Sequence, residues 1–348
     1  MKSVFRSQLY NIEKQIVNDC KKRGHPSNEI KEKQIRLKEE NFPDAGEKFE
    51  KSIHQMILIM QKIRISTDVL KWSDTIDSGS LSNPINNDTF QEAKLYVERL
   101  LDVDLSKVEL VFADSIQYVD AGEVEGTAYA NNDADHIVLL PKHSTQIKST
   151  DLLIHELGHT ADFTIARKTE NDDLLFPHIT FSETIAYYCQ IRFLLEQGTR
   201  EQRIGLFGAF YLTYLGCCVT RHCIETQTPL NKLKPNKALK SGFYDEILAA
   251  YPNSGINAAK SVVIKNITAF QQNYKDLGPL VNLDFARRFG FILALFLLDK
   301  PINFVKELIH KNSLEHDFVE IVQSIVPNFQ DYANLDQRLL DFFDSDIG

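Results

Sequence analysis

The chain has 348 residues, 43% of them hydrophobic and 25% charged, enough for one large or two ordinary domains with a full core. Fifteen Gly and 11 Pro exclude collagen-like and low-complexity classes. The longest uninterrupted apolar run, residues 289–298, is too short to span a bilayer, so no membrane span is expected. Net charge is −9: residues 1–64 carry 14 Lys and Arg against 9 Asp and Glu, which leaves 25 against 39, or −14, for the rest. An acidic body repels phosphate backbones, and no nucleic-acid partner is expected.

Residues Met1 to Arg6 carry charges every few positions and start no apolar segment of secretory length. The expectation is a cytoplasmic chain without a standard signal peptide, with delivery into another cell by a specialised secretion system as the alternative route. Five cysteines make an odd number without a spaced framework, so free thiols are expected. Cys217, Cys218, His222 and Cys223 lie in an apolar helical stretch and read as buried core groups, not a metal knuckle.

In chain order, residues 4–65 have a helical pattern punctuated by Pro26 and Pro43, with Ile53, Met56, Ile57, Ile59 and Met60 on one apolar face. A turn-rich stretch, residues 78–88, marks a soft boundary before an amphipathic helix over 89–101, for which Asp88 is the expected N-cap. Strands are expected at 108–112, 126–130 and 136–140, the last two joined as a hairpin. A helix follows from a Ser149/Thr150 cap to about Arg167. Beyond Phe181 the chain scans as helix, broken at Gly198, Pro229 to Pro235, Pro252 to Gly255, Gly278-Pro279 and Pro301. The expected division is a helical segment 1–88, a catalytic core 89–200 and a helical part 201–348. The fold class is α+β, mostly helical, with a small sheet packed on the helix over 150–167.

That helix carries His155-Glu156-Leu157-Gly158-His159, an H-E-x-x-H sequence. Helical spacing puts His155 and His159 one turn apart on one face, where two imidazoles can hold the same Zn²⁺, and sets Glu156 beside them. A catalytic zinc needs a third protein ligand. Glu183 is the leading candidate: 24 residues after His159, it lies near the start of a returning helix, and Ala186 one turn later is small enough for close helix approach. His178 is the runner-up, and Asp162 and Asp173 follow.

His155 to His159 followed by Glu183-Thr184-Ile185-Ala186 resembles the gluzincin zinc metallopeptidases over residues 105–197. Residues 126–130, 135–141 and the two helices are similar to the zincin domains of antirestriction and phage-immunity proteins. The motif and the helical remainder also look like oligopeptidases of the thimet and oligoendopeptidase type. The resemblance implies a zinc ion on His155, His159 and Glu183, a protein or peptide substrate, and hydrolysis with Glu156 as general base on a zinc-bound water. Tyr187 stands where thermolysin-like enzymes have an Asp that braces the first His, and no H-x-x-G-x-x-H extension of metzincin type follows His159.

The tetrahedral oxyanion would want a further donor; Tyr274, Arg288 and His178 are the expected candidates, with Arg287 and Tyr188 behind them. Strand 126–130 is the expected seat of an extended peptide, and Asp114, Asp120, Glu123 and Glu125 read as a solvated acidic loop. The alternatives are a non-hydrolytic zincin-fold regulator or anti-defence protein acting by binding, and a metal-free helical interaction protein.

Overall fold

The computed structural model describes residues 3–71, 85–114, 116–118, 122–123, 126–142, 150–250, 255–273, 283–327 and 335–344. The chain is mostly helical with a small sheet, the α+β class expected. Its first half runs through α1 (Val4–Arg23), α2 (Asn28–Asn41), α3 (Ala45–Met60), α4 (Thr67–Leu70) and α5 (Asn87–Leu101). Then come β1 (Glu109–Ala113), β2 (Gln117–Tyr118), β3 (Gly122–Glu123), β4 (Thr127–Tyr129) and β5 (Ile137–Pro141). The helices α6 (Thr150–Arg167), α7 (Ile179–Glu196), α8 (Arg200–Gly205), α9 (Phe207–Glu225), α10 (Pro235–Ala238) and α11 (Asp245–Ala249) follow. The last are α12 (Gly255–Asn273), α13 (Leu283–Leu297), α14 (Ile302–Lys311), α15 (Phe318–Ile325) and α16 (Leu335–Asp344).

Two compact units divide the chain, each drawn from three segments. One comprises Met1–Lys48, Ser80–Phe193 and Asp299–His316; the other comprises Phe49–Gly79, Leu194–Leu298 and Asp317–Gly348.

In the first unit, β5 is the middle strand, and all five of its residues are buried. A strand covered on both faces must read as an unbroken apolar run, as Ile137-Val138-Leu139-Leu140 does. Full burial of each such side chain is worth about 1.5–3 kcal/mol. On one side β5 pairs antiparallel with β4, the expected hairpin. On the other it pairs parallel with β1, a partnership that alternation cannot specify, because period 2 sets a strand's faces and not its neighbour. β2 and β3 form a separate two-stranded ribbon, which the sequence reading missed. Of the acidic loop, Asp114 pairs with Lys142 at 3.0 Å, and Asp120 and Glu125 lie outside the described residues.

Helix α1 lays Ile16, Val17 and Cys20 on Ala113, Ile116, Ile137 and Leu139 of the sheet region. It ends at Gly24, whose φ of 79° supplies the left-handed turn that lets its N–H return to the Cys20 carbonyl. A buried Arg167–Glu13 pair, with two hydrogen bonds of 2.7 and 2.6 Å, ties α1 to the last residue of α6. Arg6 donates to the carbonyls of Arg167, Thr169 and Asn171, at 3.3, 2.8 and 3.2 Å. The carbonyl end of α6 is therefore covered by cations, as a helix C-terminus favours.

Two local expectations are corrected. The cap of α5 is Asn86 and not Asp88: its Oδ1 accepts the N–H groups of Asp88 and Thr89 at 2.9 and 3.0 Å, and Thr89 Oγ1 accepts the Asn86 N–H at 2.8 Å. The helix gains from the reciprocal box, and Asp88 stays in the first turn, where the helix dipole favours it. Helix α7 begins at Ile179, ahead of the expected Phe181, and a 3₁₀ turn over Asp172–Leu175 precedes it.

In the second unit, Arg221 of α9 donates to the carbonyls of Gln61 and Ile63 at 3.1 and 2.6 Å, and Tyr214 takes the Ile65 N–H at 3.3 Å. Segment Arg200–Glu225 is long and apolar enough by length and composition to cross a membrane, and 75% of its most apolar window is buried inside the protein. The unbroken-run criterion overlooked it because Thr213 divides the apolar residues. Cys217 and Cys218 are buried and free, and burial pushes the Cys218 thiol up to about 12. Gly278-Pro279 and Pro252 fall outside the described residues.

Candidate metal centre

Helix α6 packs on α5, on α14 and on strands β4 and β5. This fixes the face that its motif presents. His155 and His159, one turn apart, have ring centroids 5.0 Å apart and nearly perpendicular planes. Phe163, a further turn along, stacks beside His159 with 6.4 Å between centroids. Tyr187 of α7 meets His155 edge-on at 4.6 Å.

Glu183 comes from α7, which approaches α6 where Gly158 faces Ala186. A β-carbon on Gly158 would lie 2.7 Å from the Ala186 α-carbon and 3.4 Å from its β-carbon. Only glycine fits there, and the small residue expected at 186 is the one it meets. The approach puts Glu183 Oε2 3.3 Å from His155 Nε2, and Oε1 3.7 Å from His159 Nε2. One ligand atom from each of the three lies within 4.8 Å of the others.

The donors suit zinc. Tetrahedral Zn²⁺ with bonds of about 2.0–2.1 Å spaces its ligand atoms about 3.3–3.4 Å apart, and two imidazole nitrogens plus a carboxylate are its ordinary donors. The three side chains are 12%, 13% and 11% exposed, so the group is sheltered without being sealed. Burial pushes the His155 imidazole down; the Glu183 carboxylate, with Glu156 and Gln190, outweighs it, and the net direction is upward. Two imidazoles beside a carboxylate, one of them favouring the charged form, make a place where a divalent cation substitutes for protons.

Glu156 is buried, and Gly126, just before β4, runs against it. A β-carbon at Gly126 would stand 2.8 Å from Leu140 Cδ2 and 3.6 Å from Glu156 Oε1. The lack of a side chain at 126 leaves room for the Glu156 carboxyl.

Below the group lies a polar floor. Ser182 donates to Asp162 Oδ2 at 2.6 Å, and Asn312, just after α14, donates to Ser182 Oγ at 3.2 Å. Three segments thus meet beside Glu183. Burial pushes the Asp162 carboxyl up to about 6 against the Ser182 hydrogen bond. Asp162 serves this floor and stays out of the three-donor group, and Asp173 sits in the 3₁₀ turn.

His178 is buried ahead of α7, its carbonyl accepting the Phe181 and Ser182 N–H groups at 3.1 Å each. It helps start the helix that carries Glu183 and is not among the three converging donors. Arg288 lies half-buried on α13 of the second unit, Tyr188 is buried with the Arg192 guanidinium over its ring at 5.6 Å, and Tyr274 is outside the described residues.

No family model matches the chain, and no curated protein matches it. Among solved structures, one assigned as an oligoendopeptidase F from Bacillus anthracis is similar, with a TM-score of 0.46 and 13% identity. The match covers 97% of this chain and 69% of that one.

The sequence reading missed two residues. Gln190 Oε1 lies 3.1 Å from His155 Nδ1, and Gln190 Nε2 donates to Asp151 Oδ2 at 2.8 Å. A signal was present: Asp151 precedes His155 by one turn, and Gln190 follows Glu183 by two turns on the same face.

Proposed function

We propose that the chain is a zinc-dependent metallopeptidase that hydrolyses peptide bonds of a protein or peptide substrate. The observation that carries this reading is the convergence of His155, His159 and the Glu183 carboxylate within 4.8 Å of one another, with Glu156 on the same helix as the two histidines. His155, His159 and Glu183 would hold the ion. When bound, zinc supplies Lewis acidity, which makes water a nucleophile near neutral pH and polarises a carbonyl.

The chain's own residues do the rest. Glu156, held in a sheltered position against Gly126, takes a proton from the attacking water at its carboxylate and later delivers it to the leaving amine nitrogen. β4, the outer strand of the three beside Glu156, offers a backbone against which an extended peptide can lie. Such pairing binds peptides with little regard to side chain, which favours an endopeptidase.

The test compares wild type and Glu156→Gln. Wild type should hold about one zinc per chain and cleave an unstructured protein substrate. Glu156→Gln should keep the zinc and lose cleavage by about 10²–10⁴-fold, the ordinary worth of a positioned base. Equal cleavage by the two would end the assignment of Glu156, and a wild-type chain unable to take up zinc would end the metallopeptidase reading.

A further inference from the structure

The imidazole of His155 is braced by an unusual partner. An amide oxygen can only accept, so the 3.1 Å approach of Gln190 Oε1 requires a proton on Nδ1 and reserves Nε2, which faces Glu183, as the nitrogen that can bind a metal. Which end of the Gln190 amide faces His155 is decided at its other end. Asp151 Oδ2, a carboxylate acceptor 2.8 Å away, must meet the NH₂ group. Asp151, Gln190 and His155 therefore form a directional relay in which each hydrogen bond leaves one choice for the next. Asp151 and Gln190 are both buried, so water does not compete for these bonds.

We infer that Gln190 is the positioning residue of the metal centre, holding His155 in its zinc-binding tautomer and orientation, and that Asp151 acts through it by setting the amide. This inference rests on the zinc reading above. Tyr187 packs against the ring without replacing the bond. A Gln amide gives the ligand orientation with little added charge, since the Asp151 carboxylate is one whole side chain removed from the imidazole.

The experiment is a zinc titration against a competing chelator, with thermal unfolding of each metal-free protein recorded alongside. Gln190→Leu preserves bulk and removes both hydrogen bonds; zinc affinity should fall about 10- to 100-fold. The double variant Gln190→Glu with Asp151→Asn exchanges donor and acceptor between the same two positions. Both bonds survive, with the carboxylate now next to His155, so affinity should return to the wild-type level or above. A folded Gln190→Leu protein with affinity within twofold of wild type overturns the relay. So does a double variant as weak as Gln190→Leu, or, should Gln190→Leu not fold, a double variant tenfold or more below wild type. A wild-type chain that binds no zinc removes the metallopeptidase reading and the relay with it, whereas loss of the relay alone leaves wild-type binding intact.

Discussion

Gly158 and Ala186 set the distance between the helix that carries His155 and His159 and the helix that carries Glu183: a β-carbon on Gly158 would stand 2.7 Å from the Ala186 α-carbon. Gly158 lies within the H-E-x-x-H motif, and Ala186 follows Glu183 by three residues. The contact that brings the helices together is therefore one turn or less from all three donors. Backbone atoms on the Ala186 side cannot rotate away as a long side chain could.

Gly158→Ala should accordingly force α6 and α7 apart and draw Glu183 from the histidines. The expected result is a destabilisation of about 1–3 kcal/mol, typical of overpacking, with zinc affinity lowered at least tenfold. Chemical denaturation and zinc competition measure the two effects. Wild-type affinity in the variant would mean that the helices reach the same geometry by another packing.

Glu183→Ala and His178→Ala should separate cleanly. Removing Glu183 deletes the only carboxylate in the three-donor group, and zinc content after dialysis against weak chelator should drop to near zero. His178→Ala should keep its zinc and lose stability, because His178 is buried at the start of α7. Metal loss in His178→Ala together with full occupancy in Glu183→Ala would reverse the assignment.

Asp162→Asn should stabilise the protein at neutral pH. Burial raises the folded-state pKa of Asp162 from 3.8 to about 6, so the folded protein holds this proton more tightly than the unfolded chain. The resulting penalty is absent below about pH 4, grows as pH rises through 6, and is complete above 7. Its size is about 3 kcal/mol at most, at 1.36 kcal/mol per pKa unit. Asn cannot ionise, and its carbonyl can still accept from Ser182. Urea unfolding at pH 4.5 and 7.5 should show the variant's advantage about threefold larger at the higher pH; an equal difference at both values would put the titration elsewhere.

Much of the centre was legible in the residues. An i, i+4 pair of histidines shares a face on any α-helix, so H-E-x-x-H within an amphipathic stretch defines two donors and a neighbouring acid before any packing is considered. The hairpin of β4 and β5, the extent of α6 and the small residue at 186 followed from equally local rules of alternation, capping and volume. Errors were local too: Asp88 was the expected cap of α5, and the reciprocal bonding of Asn86 with Thr89 puts the cap two residues earlier.

Other features depend on pairings between distant segments, which periodicity does not encode. β1 lies parallel to β5 because of the way the intervening chain crosses over, and strand patterning is silent on that. The sequence ranked Glu183 ahead of His178, Asp162 and Asp173; that it meets the two histidines depends on the rotation of α7 about its own axis, set by Gly158 against Ala186 and by Ser182 against Asp162. The brace on His155 was hidden for the same reason. Tyr187, at the position compared with thermolysin, turns its ring to the imidazole, while Gln190 one turn on reaches Nδ1 and Asp151 in α6 orients it. Helical geometry determines which residues share a face; only the packing of one helix on another determines which face meets the ligand.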